Sequence, residues 1–212
     1  MIVEARSGER RAGAYLAPIG FGTVIKIGGS VLRDPASFAK VVDALGLLVP
    51  PSPGRAGVLV VPGGGPFADA VRAIDAALAP GDDAAHWMAI LGMDQHAHLL
   101  AARTPGADVV ETPADARAAH EAGRLPILAP YRWLRERDPL PHSWAVSSDS
   151  IAAWIALDLG APELILVKPV AGPVDAVTDP YFPRVLADAI AAGRRLRVRV
   201  TVAMAAGLNE KL

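Results

Sequence analysis

The 212-residue chain carries 21 Lys and Arg against 22 Asp and Glu, a formal net charge of −1 that gives no basis for gripping nucleic acid or an acidic membrane surface. Its lack of cysteine excludes disulfides, thiolate zinc sites and cysteine nucleophiles. No apolar run approaches the roughly 20 residues that span a bilayer, and Met1–Gly13 is polar and Arg-rich, unlike a secretory signal, so a cytoplasmic protein without membrane partners is expected.

In chain order, residues 1–22 read as an N-terminal extension and 23–212 as a single α/β domain. Strand Thr23–Ile27 enters the turn Gly28-Gly29-Ser30 and then helix Pro35–Leu48; Pro50–Gly54 is a proline-rich surface turn. Strand Gly57–Val61 enters Pro62–Gly65 and helix Pro66–Leu78, where Phe67, Val71, Ile74 and Leu78 share one face. Helix Asp83–Ala102, strand Asp108–Glu111, helix Pro113–Ala122 and strand Leu125–Leu128 follow. The chain ends with helix Asp149–Leu159, strand Glu163–Val167, helix Tyr181–Ala191 and strand Arg197–Met204. This alternation predicts a largely parallel sheet covered by helices. In the last strand Val198, Val200, Val202 and Met204 alternate with Arg197, Arg199 and Thr201, which predicts one wet or ligand-facing side.

Two glycine turns at strand ends carry the chemistry. Glycine lets the backbone pass close to an anion, and free N–H groups at a helix start attract negative charge. The first, Lys26-Ile27-Gly28-Gly29-Ser30, holds a lysine able to neutralise a transferring phosphate. The second, Gly63-Gly64-Gly65-Pro66-Phe67-Ala68, also satisfies the G-x-G-x-x-A form of a dinucleotide-binding turn. No Gly-Lys-Ser/Thr occurs, so the P-loop pattern is absent. Together the turns suggest two phosphate sites. Downstream, His142-Ser143-Trp144-Ala145 precedes Ser147-Ser148-Asp149-Ser150, which opens a helix. Ser148 or Asp149 reads as a helix cap, and a carboxylate there can also orient a lysine. The crowding of His, Ser and Asp without a G-x-S-x-G turn argues against a hydrolytic triad. Asp94 and His98 share a helix face and mark a polar patch at a substrate pocket or subunit contact, with a metal pair as the lesser reading.

Lys26–Ser30, Pro62–Gly65 and Ser148–Ser150, in that order, resemble the amino acid kinase superfamily. His142–Ala145, Phe67-Ala68 and Met93-Asp94 are similar to the branch acting in methanofuran biosynthesis. The resemblance implies an αβα sandwich with a mainly parallel central sheet, ATP and magnesium as cofactors, and a homo-oligomer. It implies that Lys26 contacts the transferring phosphoryl group while Asp149 holds the catalytic lysine. Gly28, Gly29, Gly64 and Gly65 would supply backbone donors, with Ser30 and Ser148 at the nucleotide phosphates. Gly63, Gly64, Gly65, Asp94, His142 and Trp144 would meet the acceptor, and no metal is implied beyond the magnesium carried by ATP. Residues from about 160 to 212 would form a shortened nucleotide lobe. Family members usually carry Thr-Asp and a Val-Asp-Gly-like turn where this chain has Lys168-Pro169-Val170-Ala171-Gly172. Lys168, at a strand's carboxyl end, is expected to replace a later phosphate-binding lysine. The implied function is an ATP-dependent kinase acting on a phosphorylated furan alcohol. A non-catalytic binding or assembly protein on the same fold is the alternative, followed by a dinucleotide-binding domain.

Overall fold

Strand β1 (Phe21–Ile27) forms the middle of a parallel sheet, paired on one side with β2 (Gly57–Pro62) and on the other with β5 (Glu163–Lys168). The computed structural model describes residues 20–51 and 56–202. Within them β3 (Ala107–Val110), β4 (Leu125–Leu128) and β6 (Arg197–Val202) complete the order β3-β4-β2-β1-β5-β6, every pair parallel. Buried on both faces, the central strands are nearly continuous apolar runs. Side chains alternate along each strand, so Val24, Leu59, Val61, Leu164 and Leu166 enter one core while Ile25, Ile27, Val60, Ile165 and Val167 enter the other.

Helices α1 (Pro35–Gly46), α2 (Gly65–Leu78), α3 (Asp82–Arg103), α4 (Pro113–Glu121), α5 (Tyr131–Arg137), α6 (Ser148–Leu159), α7 (Val174–Val177) and α8 (Phe182–Ala191) connect the strands. Helix α1 supplies Val41 and Leu45 to the second core; α4, α5, α6 and α8 fill the first; α3 serves both, through Ile90 and Met93 and through Ala97 and Leu100. This is the parallel, helix-covered sheet expected from the alternation and the three-layer αβα sandwich implied by the resemblance. The order also fixes where a ligand can sit. The chain moves from β1 to β2 on one side, then returns from β4 to β5 on the other, so the order reverses at β1 and β5. Open α/β sheets bind ligands at the carboxyl ends of strands at such a reversal.

Several details differ from expectation. Strand β1 starts at Phe21, two residues before the expected Thr23. A 3-10 turn at Gly29–Arg33, the short α5 and the four-residue α7 lack the length for periodicity to reveal them. The apolar face expected of α2 is covered only in part: Val71 is buried, but Ile74 is 39% and Leu78 75% exposed. Helix α6 is capped by Ser147, whose side chain accepts from the Asp149 amide; Ser148 is the first helical residue and Asp149 is engaged elsewhere. On β6 the polar side carries an ion pair from Arg199 to Glu163 of β5 at 2.9 Å, while Val198 and Val200 pack on the core. Met204 and residues 52–54 of the expected Pro50–Gly54 turn lie outside the described residues.

Candidate active site

Val24 and Lys26 lie on the face of β1 that α6 covers, and Leu164, Leu166 and Lys168 share that face of β5. Lys26 and Lys168 are thus brought to one place by adjacent strands, each at the carboxyl end of an apolar run. Asp149, in the first turn of α6, lies between them. Lys26 Nζ is 2.8 Å from Asp149 Oδ1 and Lys168 Nζ is 2.6 Å from Asp149 Oδ2. The three residues are 3%, 4% and 9% exposed, respectively for Lys26, Asp149 and Lys168. Burial pulls the Lys26 ammonium below its usual pKa; Asp149 opposes this and the charge of Lys168 adds to it. Burial alone would raise the Asp149 carboxyl, but the two lysines outweigh it and hold it below the usual carboxylate range. Two cations against one anion leave a net positive charge in a confined site, which suits an incoming polyanion.

Asp179 holds this carboxylate's helix in place. Its Oδ2 accepts from Ser147 N at 3.0 Å, Ser147 Oγ at 2.7 Å and Ser150 N at 3.0 Å. Its Oδ1 accepts from Ser150 Oγ at 2.5 Å and from the Tyr181 and Phe182 amides at 3.1 and 2.9 Å. One side chain therefore ties the starts of α6 and α8 together. The sequence signal was present as Asp179-Pro180 ahead of a helix, but it indicates only the nearer helix.

The two glycine turns pack against each other. A Cβ on Gly29 would lie 2.1 Å from Gly65 N, and one on Gly65, where φ is +53°, would lie 2.5 Å from Gly29 O. Gly63 is enclosed as well: a Cβ there would meet Ser148 Oγ at 2.7 Å and Gly29 N at 2.9 Å, and its carbonyl accepts from the fully buried His96 Nδ1 at 2.6 Å. The space a side chain would need is filled by protein, which corrects the expectation that it is reserved for phosphate. The Gly28 amide is also committed, donating to Val167 O at 3.0 Å, so it is not an available anion donor.

Two clefts meet at these turns. The first is floored by Gly29, Ser30, Gly64 and Gly65 and walled by Arg72, His86, Trp144 and Ser148. The second contains Lys26, Gly28, Asp149, Lys168, Val170 and Val177. Gly29, Ser30 and Ser147 line both. The start of α2 faces the first cleft, so the positive end of its dipole adds to the attraction for anions, whereas at α6 the Ser147, Asp149 and Ser150 amides are already committed to Asp179 and Ser147.

Other residues singled out from sequence fall as follows. Trp144 lines the first cleft, with its Nε1 donating to Asp75 at 2.7 Å and the Arg72 guanidinium 4.1 Å above its ring. His142 stands behind the wall, with Nδ1 2.6 Å from Asp83 and Nε2 2.8 Å from Asp138; His86, stacked on it, takes the lining position. Asp94 lies beneath α5, accepting from the Tyr131 amide at 3.1 Å, and burial raises its pKa to about 6. It does not line either cleft. Among the described residues no group of three or more His, Asp or Glu has the geometry to hold a metal. No described helix is long and apolar enough to cross a membrane.

The sequence model of the amino acid kinase family matches residues 22–181. The chain is 31% identical over 152 residues, 72% of its own length and 68% of the relative's, to the [5-(aminomethyl)furan-3-yl]methyl phosphate kinase of Methanocaldococcus jannaschii. Its fold is similar to uridylate kinase from Archaeoglobus fulgidus (TM-score 0.57, 17% identity, 86% of this chain and 92% of that one). It is similar too to UMP kinase from Bacillus anthracis (TM-score 0.55, 13% identity, 88% of each chain). The glycine-turn dinucleotide reading is thereby set aside. The chain belongs to the amino acid kinase family and is a phosphotransferase.

Proposed function

We propose that the chain transfers the γ-phosphoryl group of ATP to a small phosphorylated alcohol, a furan-type intermediate of methanofuran-like cofactor biosynthesis. The observation that carries this reading is the buried Lys26–Asp149–Lys168 clamp in the second cleft, which shares Gly29, Ser30 and Ser147 with the first. The nucleotide phosphates occupy the second cleft, with residues from about 160 onward forming its nucleotide side, and the acceptor occupies the first. Magnesium would arrive with ATP and would supply neutralisation of the phosphate charge; Asp149 would not be its ligand, because both of its oxygens are taken by lysines. Lys26 and Lys168 stabilise charge on the in-line transition state, and Asp149 fixes their positions.

An oxygen of the acceptor's phosphate forms the new bond to the γ-phosphorus as the bond to the ADP oxygen breaks. That oxygen is already ionised at neutral pH and needs no general base. Gly29 and Ser30 at the junction, with Ser148 on the wall of the first cleft, suit such a nucleophile: they offer hydrogen bonds rather than a carboxylate or imidazole base. The relative's named substrate is a phosphate ester of this kind. A cytoplasmic homo-oligomer completes the proposal.

Calorimetric titration of Mg-ATP, followed by an assay of ADP release with [5-(aminomethyl)furan-3-yl]methyl phosphate, tests the reading. Saturable binding and acceptor-dependent ADP release are expected. No heat of binding points instead to a binding or assembly protein, the reading favoured by Lys168-Pro169 standing where relatives usually carry Thr-Asp.

A further inference from the structure

The far wall of the first cleft is an aromatic stack with a defined charge pattern. Both ring nitrogens of His142 face carboxylates, Asp83 and Asp138, which can only accept, so both nitrogens donate and the ring is an imidazolium. Burial opposes that charge, and the two carboxylates outweigh it and raise the His142 pKa. His86 stacks on His142 with centroids 4.1 Å apart and planes at 18°, and Trp87 meets both rings edge-on at 4.9 and 5.1 Å. Burial first, and then the charge of His142, pull the His86 pKa to about 4. At neutral pH His86 therefore offers one N–H and one bare nitrogen. Neither nitrogen has a hydrogen-bond partner among the described residues, and the ring lines the cleft.

The surroundings define the ligand group. The Arg135 guanidinium lies 4.6 Å over the Trp87 ring, and Asp82, Asp83 and Asp138 together outnumber the charges of His142 and Arg135, so this end is net anionic. Of the arginines lining this cleft, Arg33 is paired with Asp69 and Arg72 lies over Trp144. The phosphate end, with its glycine turns and the start of α2, has the opposite polarity.

We propose that His86 is a specificity-determining residue of the acceptor cleft, its imidazole accepting a hydrogen bond from an amine on the acceptor, and that His142 is the positioning residue that holds it. This rests on the kinase reading above and assigns the residue that reads the amine at the far end of such a phosphate ester.

Steady-state kinetics on the full chain, with [5-(aminomethyl)furan-3-yl]methyl phosphate and its analogue with a methyl group in place of the aminomethyl, test it. His86→Phe, which keeps the stack, raises the KM for the amine acceptor about tenfold, the scale of one hydrogen bond. It leaves the KM for the analogue and for ATP unchanged. His142→Ala shifts the amine KM in the same direction, and the double variant is no worse than His86→Phe alone. His86→Gln, whose amide oxygen can accept, recovers part of the loss and guards against a folding defect. Wild-type turnover with equal KM changes for both acceptors, or none in His86→Phe, overturns the assignment. Failure of the wild type to turn over either compound contradicts the kinase reading instead.

Discussion

Lys168 and Lys26 share one carboxylate: Lys168 Nζ lies on Asp149 Oδ2 at 2.6 Å, while Lys26 Nζ lies on Oδ1 at 2.8 Å. Neighbouring parallel strands present both lysines to the start of α6, Lys168 standing two residues beyond Leu166, the register partner of Lys26, so the positive charge is fixed before any ligand arrives. Preorganised charge of this kind commonly changes rates by about 10²–10³ on removal. Lys168→Ala is expected to lower kcat on that scale. Lys168→Arg is expected to rescue poorly, because a guanidinium fork does not reproduce a point contact on one oxygen. Single-turnover rates for the two variants check this.

Asp149→Asn keeps the shape of the side chain but removes the anion between two buried cations. Breaking a buried pair by deleting one partner costs about 3–5 kcal/mol. A large fall in urea midpoint is expected together with loss of turnover. A variant that melts like the wild type would show that the lysines do not depend on this carboxylate.

The glycine turns give a prediction opposite to the one that sequence alone encourages. Gly65→Ala places a Cβ 2.5 Å from Gly29 O at a residue with φ of +53°. A left-handed conformation alone costs roughly 1–2 kcal/mol for a residue with a Cβ, and the clash adds to it. The melting temperature is expected to fall without ligand present. An unchanged melting temperature combined with weaker ligand binding would restore the view that this space belongs to phosphate.

His96 makes stability depend on pH. Burial, its largest cause, lowers its pKa from 6.5 to about 4, with the charge of Lys26 acting in the same sense and the Gly63 hydrogen bond opposing. Between about pH 6.5 and 4 the unfolded chain takes up a proton that the folded chain refuses, so stability falls as pH falls through this window. The full effect is about 3 kcal/mol. His86 acts with the same sign, whereas Asp94, raised to about 6, acts with the opposite one. His96→Asn can still donate to Gly63 O but does not titrate, so its denaturation midpoint should vary less with pH across this window than that of the wild type.

What was legible in the sequence followed from local pattern. Lys26 and Lys168 each close an apolar strand run, and Ser147-Ser148-Asp149-Ser150 stands at a helix start, so both lysines and Asp149 could be singled out before their contact was visible. Asp179 could not, because it caps a helix that starts about 30 residues earlier and no short-range pattern encodes that reach. His86 was hidden for a similar reason. Its role depends on His142 arriving from a loop and standing behind it, so the conspicuous His-Ser-Trp run points to His142 while His86 lines the wall. Glycine spacing marked the turns correctly but did not reveal that each fills the other's side-chain space.

The most direct test of phosphoryl transfer at the Lys26–Asp149–Lys168 clamp is a phosphorus NMR time course with Mg-ATP and [5-(aminomethyl)furan-3-yl]methyl phosphate. For the wild-type chain the acceptor's monophosphate resonance is expected to give way to two coupled diphosphate resonances as ADP accumulates. Lys26→Met is expected to leave the spectrum unchanged over the same period. Absence of the diphosphate signals with wild-type protein, or their growth at the same rate with Lys26→Met, would contradict the account.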